Sequence, residues 1–217
     1  METSFDGWII CIIVYLIIAA LSFMPVVIVR FRKIEIKDKD KNPFSEDKFP
    51  HKCFNEGQRL RLNQHHSRIV GTLKFWEKTA LWNKYFHYYV LCWTLPISII
   101  IPVMVAFIDI GEYNAKLFLT IISLHSALAL GFHRALKVEN NYKSFRQGES
   151  EFYDLHRRFL DMPGSFGEKS NECIYNYFAE VEHLRKFVRA AETDNFPAVD
   201  DKTGANMRDS QNREIKE

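Results

Sequence analysis

Three stretches of this sequence are apolar over the length that a helix needs to cross a lipid bilayer. They occupy residues 8–29, 88–108 and 115–132, and the first two contain no charged residue. A helix rises 1.5 Å per residue, so about 20 apolar residues cross a hydrocarbon core of roughly 30 Å. Each stretch is therefore predicted to be a transmembrane helix, and the chain is predicted to be an all-α membrane protein.

The first apolar stretch is predicted to be a retained span and not a secretory signal peptide. Residues 1–7 carry no Lys or Arg, and no small-residue cleavage pattern follows the stretch. The basic segment 30–33 follows instead, which is typical of a stop-transfer flank. Residues 1–33 are accordingly predicted to be an N-terminal transmembrane helix.

The distribution of positive charge predicts the orientation in the membrane. Lys and Arg concentrate in residues 30–87 and 133–217, whereas residues 1–7 have none and residues 109–116 have hardly any. Positively charged segments stay on the cytoplasmic side of a membrane. The chain is therefore predicted to be a multi-pass protein of the plasma (inner) membrane, with its N-terminus outside and its C-terminus in the cytoplasm. The second and third spans form a transmembrane hairpin over residues 88–132.

The remaining composition argues against several classes of function. The formal net charge is only +2, so nothing suggests nucleic acid as a partner. The four cysteines have no redox-like or metal-like spacing, so neither a disulfide framework nor a metal site is predicted. The sequence has no Gly-rich phosphate loop, nucleophile elbow or zinc-protease motif. No enzyme activity and no cofactor are expected.

Two soluble elements are predicted between the first and second spans. Residues 34–55 mix charges with Pro43 and Pro50 and have no periodicity, which predicts a linker. From about Glu56, an apolar stripe with spacings of four and three predicts an amphipathic helix that leads into the second span. The stripe consists of Leu62, His66, Ile69, Leu73, Trp76 and Ala80.

A basic cluster lies near the start of this amphipathic helix and comprises Arg59, Arg61 and Arg68. The cluster is a candidate contact for an anionic ligand or a lipid headgroup. A solvated face next to an acidic membrane leaflet is the more common meaning of such a pattern. Both interpretations remain open from the sequence.

A second stripe follows the third span and also alternates by four and three residues. Its members are Val138, Tyr142, Phe145, Glu149, Phe152, His156 and Phe159. The same register extends backwards through Leu128 and Leu124, so one continuous helix from the membrane into the cytosol is predicted over about residues 115–160. This seam is expected to pair with another helix of the chain or with other copies in an oligomer. Its polar members are expected to specify register or, less commonly, to form a pH-sensitive contact.

A closing helix is predicted after the Pro- and Gly-containing break that follows the seam. Its stripe consists of Ile174, Tyr177, Val181, Leu184, Val188 and Ala191. The closing helix is expected to fold back on the seam, so that residues 133–195 form a cytosolic helical hairpin. Residues 196–217 are polar and aperiodic, which predicts a disordered tail.

Polar and helix-disrupting residues inside the spans are candidates for a role in a pore or its gating. His125 lies midway along the third span, flanked by Ser123 and Ser126. An ionisable group in a membrane needs either a partner or a wet cavity, and a hydrogen bond to a neighbouring helix is its more common role. Pro96 and Pro102 are expected to kink the second span.

Three segments together carry a resemblance to a known family. "LKFWEKTALWNKYFHYY" enters the transmembrane hairpin, "LGFHRALKVENNYKSFRQGESEFYDLHRRFLD" leaves it, and "SNECIYNYFAEVEHLRKF" closes the chain. This layout, within residues 56–195, resembles the SLATT superfamily of two-span effectors in bacterial conflict and antiviral systems. The resemblance implies a pore-forming or membrane-disrupting effector that an infection sensor triggers, often through a nucleotide. The additional first span departs from the two-span plan and leaves open which helix would line a pore.

These observations lead to two main hypotheses about function, and a membrane-embedded enzyme that uses His125 or nearby polar groups is a third, which no motif supports. Three spans cannot enclose a water-filled channel in one subunit, so a pore requires a homo-oligomer. We expect a membrane effector in antiviral defence that oligomerises in the lipid bilayer and forms or gates a pore, triggered by a separate sensor protein or a cyclic nucleotide. The alternative is a non-conducting membrane anchor or scaffold that recruits a cytosolic partner through its helical hairpin.

Overall fold

The computed structural model describes residues 7–32, 42–51, 53–107 and 113–195, and these residues form helices without any strand. The α-helices are α1 (Gly7–Phe31), α2 (Glu56–Phe107), α3 (Tyr113–Ala135), α4 (Val138–Asp161) and α5 (Ser170–Asp194). A 3₁₀ turn, Pro163–Phe166, joins α4 to α5. The prediction of an all-α fold is confirmed. The predicted turn between the second and third spans and the predicted tail lie mostly or wholly outside the described residues.

Among the described residues, three helices are long and apolar enough to cross a membrane, namely α1, α2 and α3. Their apolar side chains are poorly covered by protein, and Leu95, Ile99 and Leu124 are each more than half exposed. A soluble protein rarely leaves so large a contiguous apolar surface uncovered, whereas lipid covers it favourably. The prediction of three membrane-spanning helices in a membrane-associated protein is therefore supported by the fold.

The helix α2 contributes to two parts of the molecule, a soluble part and a membrane part. Its 52 residues extend for about 78 Å and continue through Pro96 and Pro102. Its first part buries the six residues of the predicted amphipathic stripe, and its last part is apolar around most of its circumference. The start near Glu56 and the stripe are confirmed, and one unbroken helix connects the soluble part to the membrane part.

The soluble part is a three-helix bundle formed by the first part of α2 together with α4 and α5. One contiguous core holds the bundle together. Its large members include Leu62, Ile69, Leu73, Trp76, Phe145, Phe152, Phe159, Ile174, Tyr177, Val181 and Val188. Burial of each such side chain contributes about 1.5–3 kcal/mol to folding, so the three stripes read from the sequence supply most of the stabilisation of this bundle.

The segment before α2 also contributes to this core. Phe44 and Phe49 are completely buried, and Phe54 is nearly so. The ring of Phe49 stacks on Phe159 of α4, and His51 Nε2 donates a hydrogen bond to the Leu160 carbonyl at 2.9 Å. Residues 34–55 were predicted to be a linker, and the described part of that segment instead seals the end of the bundle. Its aromatic residues follow no helix or strand periodicity, which is why their burial could not be predicted.

The prediction of one continuous helix from the third span into the seam is wrong. The helix α3 ends at Ala135 and α4 begins at Val138. Between them, Lys137 adopts a left-handed conformation, with φ 44° and ψ 44°. This conformation costs a residue with a Cβ atom roughly 1–2 kcal/mol, so the surrounding contacts must impose it. Asn141 Nδ2 donates to the Leu136 carbonyl at 2.9 Å, and Lys137 Nζ donates to the Asp194 carbonyl at 2.7 Å.

This joint also changes which face of the helix is buried. In α3 the buried residues are Ala115, Ile122 and Ala129, whereas Leu124 and Leu128, which the predicted register placed on the seam, are more than half exposed. A heptad step from Ala129 leads to Leu136, which is only partly buried, and full burial resumes two residues later, at Val138. The left-handed residue therefore resets the register between the membrane part and the bundle.

Gly148 sets the close packing of the bundle and gives a testable prediction. A methyl group at Gly148 would lie 2.3 Å from Val188 Cγ2 and 3.5 Å from the Trp76 ring. Because Val188 is buried and β-branched, it has little freedom to move away. We expect Gly148→Ala to lower the free energy of unfolding by about 1–3 kcal/mol, measured by denaturant titration in detergent with far-UV circular dichroism.

A matched control for this substitution lies on α2. Gly71 has no atom within 4 Å of the position that a methyl group would take. Gly71→Ala is expected to leave the free energy of unfolding unchanged or to raise it by about 0.5–1 kcal/mol through helix propensity. Equal effects of the two substitutions would contradict the close packing at Gly148.

Candidate functional site

A polar junction lies where the three apolar helices meet. His125 of α3 places its Nδ1 atom 2.5 Å from the Tyr15 hydroxyl of α1 and its Nε2 atom 2.8 Å from the Tyr89 hydroxyl of α2. Trp93 packs its ring against His125 at a centroid distance of 5.4 Å and donates its indole N–H to Ser22 Oγ at 2.9 Å. Three helices are thus joined through one imidazole.

The chemistry of the junction requires no charge on the imidazole. A neutral histidine donates from one ring nitrogen and accepts at the other. One tyrosine hydroxyl can therefore accept the hydrogen bond while the other donates, and both ring nitrogens are paired. In a medium without water such pairing avoids the cost of an unsatisfied polar group. The arrangement is suited to holding the three helices together.

The structure does not bring the predicted pore and gating residues into one site. His125 makes hydrogen bonds to two neighbouring helices, which is the more common role of a polar residue inside a membrane. Ser123 and Ser126 are half-buried on the same helix, whereas Pro96 and Pro102 are exposed on α2. A pore-lining role for these residues stays a prediction.

The predicted seam is covered by the chain itself. Phe145, Phe152 and Phe159 are buried in the bundle core, and Tyr142 packs against its edge. Val138 lies in a second, smaller core at the joint, together with residues of α1, α2 and α3. The hypothesis that this stripe pairs copies in an oligomer is therefore corrected, because α2 and α5 of the same chain already occupy it. A glutamate on the stripe would disrupt the bundle before it affected any oligomer.

The two polar seam residues have different surroundings. Glu149 is 8% exposed and accepts a hydrogen bond at 2.8 Å from Arg146 Nη1, which lies on the same helix. That pair therefore does not join α4 to another helix. His156 places its Nδ1 atom 3.1 Å from the Tyr177 hydroxyl of α5 and stacks on His66 of α2 at a centroid distance of 5.0 Å. His156 is therefore the polar seam residue that links all three helices of the bundle.

The electrostatics of the bundle favour neutral histidines. Burial, with a smaller contribution from neighbouring His66, lowers the pKa of His156 to about 4. Burial also lowers the pKa of His65 to about 4, and the nearby positive charges of Arg185 and Arg68 act in the same direction. At neutral pH both rings are uncharged, so they serve as packing and hydrogen-bonding groups.

The three arginines of the predicted basic cluster face different neighbours. Arg59 donates to the His51 carbonyl at 3.3 Å and lies 3.8 Å from the Glu46 carboxylate, so it holds the segment before α2 in place. Arg61 lies over the ring of Phe178 on α5, with 5.6 Å between its guanidinium carbon and the ring centroid. Arg68 is exposed. The contact of all three with one anion is not favoured by this arrangement.

A further histidine pair was not predicted. His87 Nδ1 of α2 and His133 Nε2 of α3 lie 2.8 Å apart, near the joint between the membrane part and the bundle. The tyrosines of the junction were also not predicted as partners of His125. The sequence places a tyrosine in each of the first two apolar stretches. A hydroxyl group in such a stretch is a candidate for a hydrogen bond inside the membrane, but the sequence does not identify its partner.

No family model, curated protein or solved structure matches the chain. The resemblance to the SLATT superfamily therefore stays a prediction.

The lowered pKa of His156 predicts a loss of stability in mild acid. The unfolded chain takes up the proton near pH 6.5 and the folded chain only near pH 4, so the stabilisation is complete above pH 6.5 and is lost as the pH falls towards 4. We expect His156→Gln to reduce the acid-dependent decrease in the free energy of unfolding by roughly 2–3 kcal/mol, measured by urea titration across this range. His183→Gln, at an exposed position of α5, serves as the control and should retain the wild-type decrease.

The polar junction predicts a selective loss of stability in the membrane part. Tyr89→Phe removes the hydroxyl that contacts His125 and keeps the ring. We expect the free energy of unfolding to fall by about 0.6 kcal/mol, with about 1.7 as an upper bound, measured by thermal denaturation in detergent micelles. Tyr88→Phe removes a hydroxyl from an exposed ring on the preceding residue and should leave the free energy of unfolding unchanged. In a His125→Leu background, Tyr89→Phe should lose its effect, and an unchanged cost there would argue against the junction.

Proposed function

We propose that the protein is a membrane effector that oligomerises and forms or gates a pore, acting in antiviral defence under the control of a separate sensor or a nucleotide signal. The observation that carries this proposal is the helix α2, which contributes to the bundle core through Leu73 and Trp76 and to the membrane junction through Tyr89. A displacement of the bundle is transmitted to the spans without a flexible connection. This continuity supports the proposal that the bundle gates the spans.

The proposed topology follows the positive charge. The N-terminus lies outside, α1 crosses to the cytoplasm, and α2 and α3 form the hairpin that crosses and returns. The bundle of α2, α4 and α5 is then cytosolic, and the protein resides in the plasma membrane. Under this topology the joint at Lys137 lies at the cytoplasmic end of α3.

The surfaces available for assembly lie on the spans. Because the α4 stripe is covered within the chain, we propose that copies meet through outward-facing apolar residues of the membrane part. Ile99 of α2 and Leu124 and Leu128 of α3 are more than half exposed and belong to such faces. Contacts between copies would replace lipid at these positions. A pore then forms between subunits and not within one.

Gating is proposed to act through the junction and the joint. His125 holds the three spans together, so separation of α1 or α3 from α2 requires its hydrogen bonds to break. Lys137 interrupts the helical connection between α3 and α4, so α3 can reorient while the bundle keeps its core. Switching proteins commonly contain packed units that rotate relative to one another about a few hinge residues at the ends of helices or strands.

Leakage from vesicles tests the conduction that this proposal requires. The purified full chain is reconstituted into liposomes containing a self-quenching dye, and protein density is varied. Because several copies must assemble, leakage should rise more steeply than in proportion to protein density. The mass of the detergent-extracted protein is measured in parallel. Oligomers that never leak at any density, with candidate activators present or absent, would remove the pore hypothesis and favour the anchor alternative.

A second experiment tests the coupling through α2. Tyr85 is exposed and lies in α2 between the bundle and the membrane junction. Tyr85→Pro removes a backbone hydrogen bond and distorts the helix at a cost of about 3 kcal/mol, whereas Tyr85→Ala shortens the side chain and keeps the helix. We expect leakage to be changed severalfold in Tyr85→Pro and little in Tyr85→Ala. Identical leakage by the two inserted, oligomeric variants would show that α2 does not transmit the signal.

One observation favours the alternative function of a membrane anchor or scaffold. A groove of about 460 Å³ lies between α4 and α5, on the side of the bundle away from α2. Its lining combines the apolar side chains of Leu155, Leu184 and Phe187 with charged side chains that include Glu151 and Asp154. Such a groove suits an amphipathic segment of a cytosolic partner. In this alternative, the spans only retain the bundle at the membrane.

A further inference from the structure

A second feature of the membrane part lies beside the polar junction. A pocket of about 360 Å³ lies between α1, α2 and α3 and is open on one side. Its apolar lining comes from Pro96, Ile97 and Ile100 of α2 and from Phe118 and Ile122 of α3. Tyr15 and Trp93, which belong to the junction, form one end of the pocket.

The polar side chains at the edge of the pocket already have partners. The Tyr15 hydroxyl lies 2.5 Å from His125 Nδ1, the Trp93 indole N–H donates to Ser22 Oγ, and Ser22 Oγ donates to the Ala19 carbonyl at 2.9 Å. A buried water molecule needs two to four polar partners to be stable. The pocket therefore does not favour water, and an apolar occupant fits its lining.

The pocket is continuous with the surface that lipid covers. Ile100 is 45% exposed and Cys92 is exposed, so the pocket opens sideways between the spans. Both residues lie within the apolar stretch of α2, at the depth of the hydrocarbon chains. The neighbouring Ile99 faces lipid directly. An occupant can therefore enter from the bilayer without crossing a polar layer.

The access to the pocket favours one kind of apolar occupant. The pocket lies between helices that are apolar enough to cross a membrane, so the hydrocarbon chains of the bilayer reach its open side directly. A single hydrocarbon chain is narrower than a helix and fills the pocket with close contacts, which an empty pocket would forfeit.

We infer that this pocket is a binding site for one acyl chain of a membrane phospholipid. The chain lies between α1, α2 and α3 and contacts Ile97, Phe118 and Ile122. Its headgroup stays outside the pocket, so the site selects for a chain and not for a headgroup charge. This assignment goes beyond the proposed function and holds whether or not the assembled protein conducts.

Native mass spectrometry of the full chain tests this site. The protein is reconstituted in nanodiscs of a single phosphatidylcholine, released into mild detergent and weighed. Ile100→Trp places a large ring at the mouth of the pocket, whereas Ile99→Trp makes the same change at the next residue, outside the pocket. We expect wild type and Ile99→Trp to retain one phospholipid per chain and Ile100→Trp to lose it.

A second pair of variants covers the case in which Ile100→Trp fails to fold. Cys92→Trp also fills the pocket, and Cys11→Trp changes an exposed thiol of α1 that does not line it. The same pattern of loss and retention is expected. Equal retention by pocket and control variants overturns the assignment, and so does a wild type that carries no lipid, carries a free fatty acid in its place, or forms a lipid-free dimer.

Discussion

The continuity of α2 is the constraint on which the rest of the structure depends. The helix is a member of two cores, because its first part packs with α4 and α5 and its residues Phe86 and Val90 pack with α1 and the joint. Each partner is positioned by its contact with a different length of the same helix. The 52 residues of this helix run without interruption from one core to the other, so the bundle and the spans are joined through a single element.

Unlike α2, the segment from α3 to α4 does not form one helix from the spans into the bundle, because it is interrupted at Lys137. If α3 and α4 formed one helix, the buried faces of the spans and of the bundle would have to share one register. They do not, since Ala129 and Val138 are separated by nine positions and not by seven. A single left-handed residue shifts the register of the buried positions between α3 and α4, at a cost of roughly 1–2 kcal/mol. The spans and the bundle can therefore each bury the face that suits their own packing.

Several of the described histidines make hydrogen bonds to side chains of neighbouring helices. His125 joins three spans through two tyrosines, His87 contacts His133 beside the joint, and His156 contacts Tyr177 in the bundle. Burial of an unpaired polar group is costly, so such pairs specify which helices lie together more sharply than apolar contacts do. These polar pairs explain why the helices pack in one arrangement, and they make the polar junction and its adjoining apolar pocket the natural places to look for regulation.

The sequence by itself determined the number of spans, the start of α2 and the three apolar stripes of the bundle, because hydropathy and periodicity are local properties of a chain. Only the tertiary structure decided what each stripe packs against, since an apolar face is equally compatible with the same chain, another copy or lipid. The hydrogen-bond partners of His125 lie 110 and 36 residues away along the chain. The break between α3 and α4 occurs at Lys137, and neither a glycine nor a proline at that position predicts it. The burial of Phe44 and Phe49 was likewise decided by the space at the end of the bundle, because no local periodicity directs those rings inward.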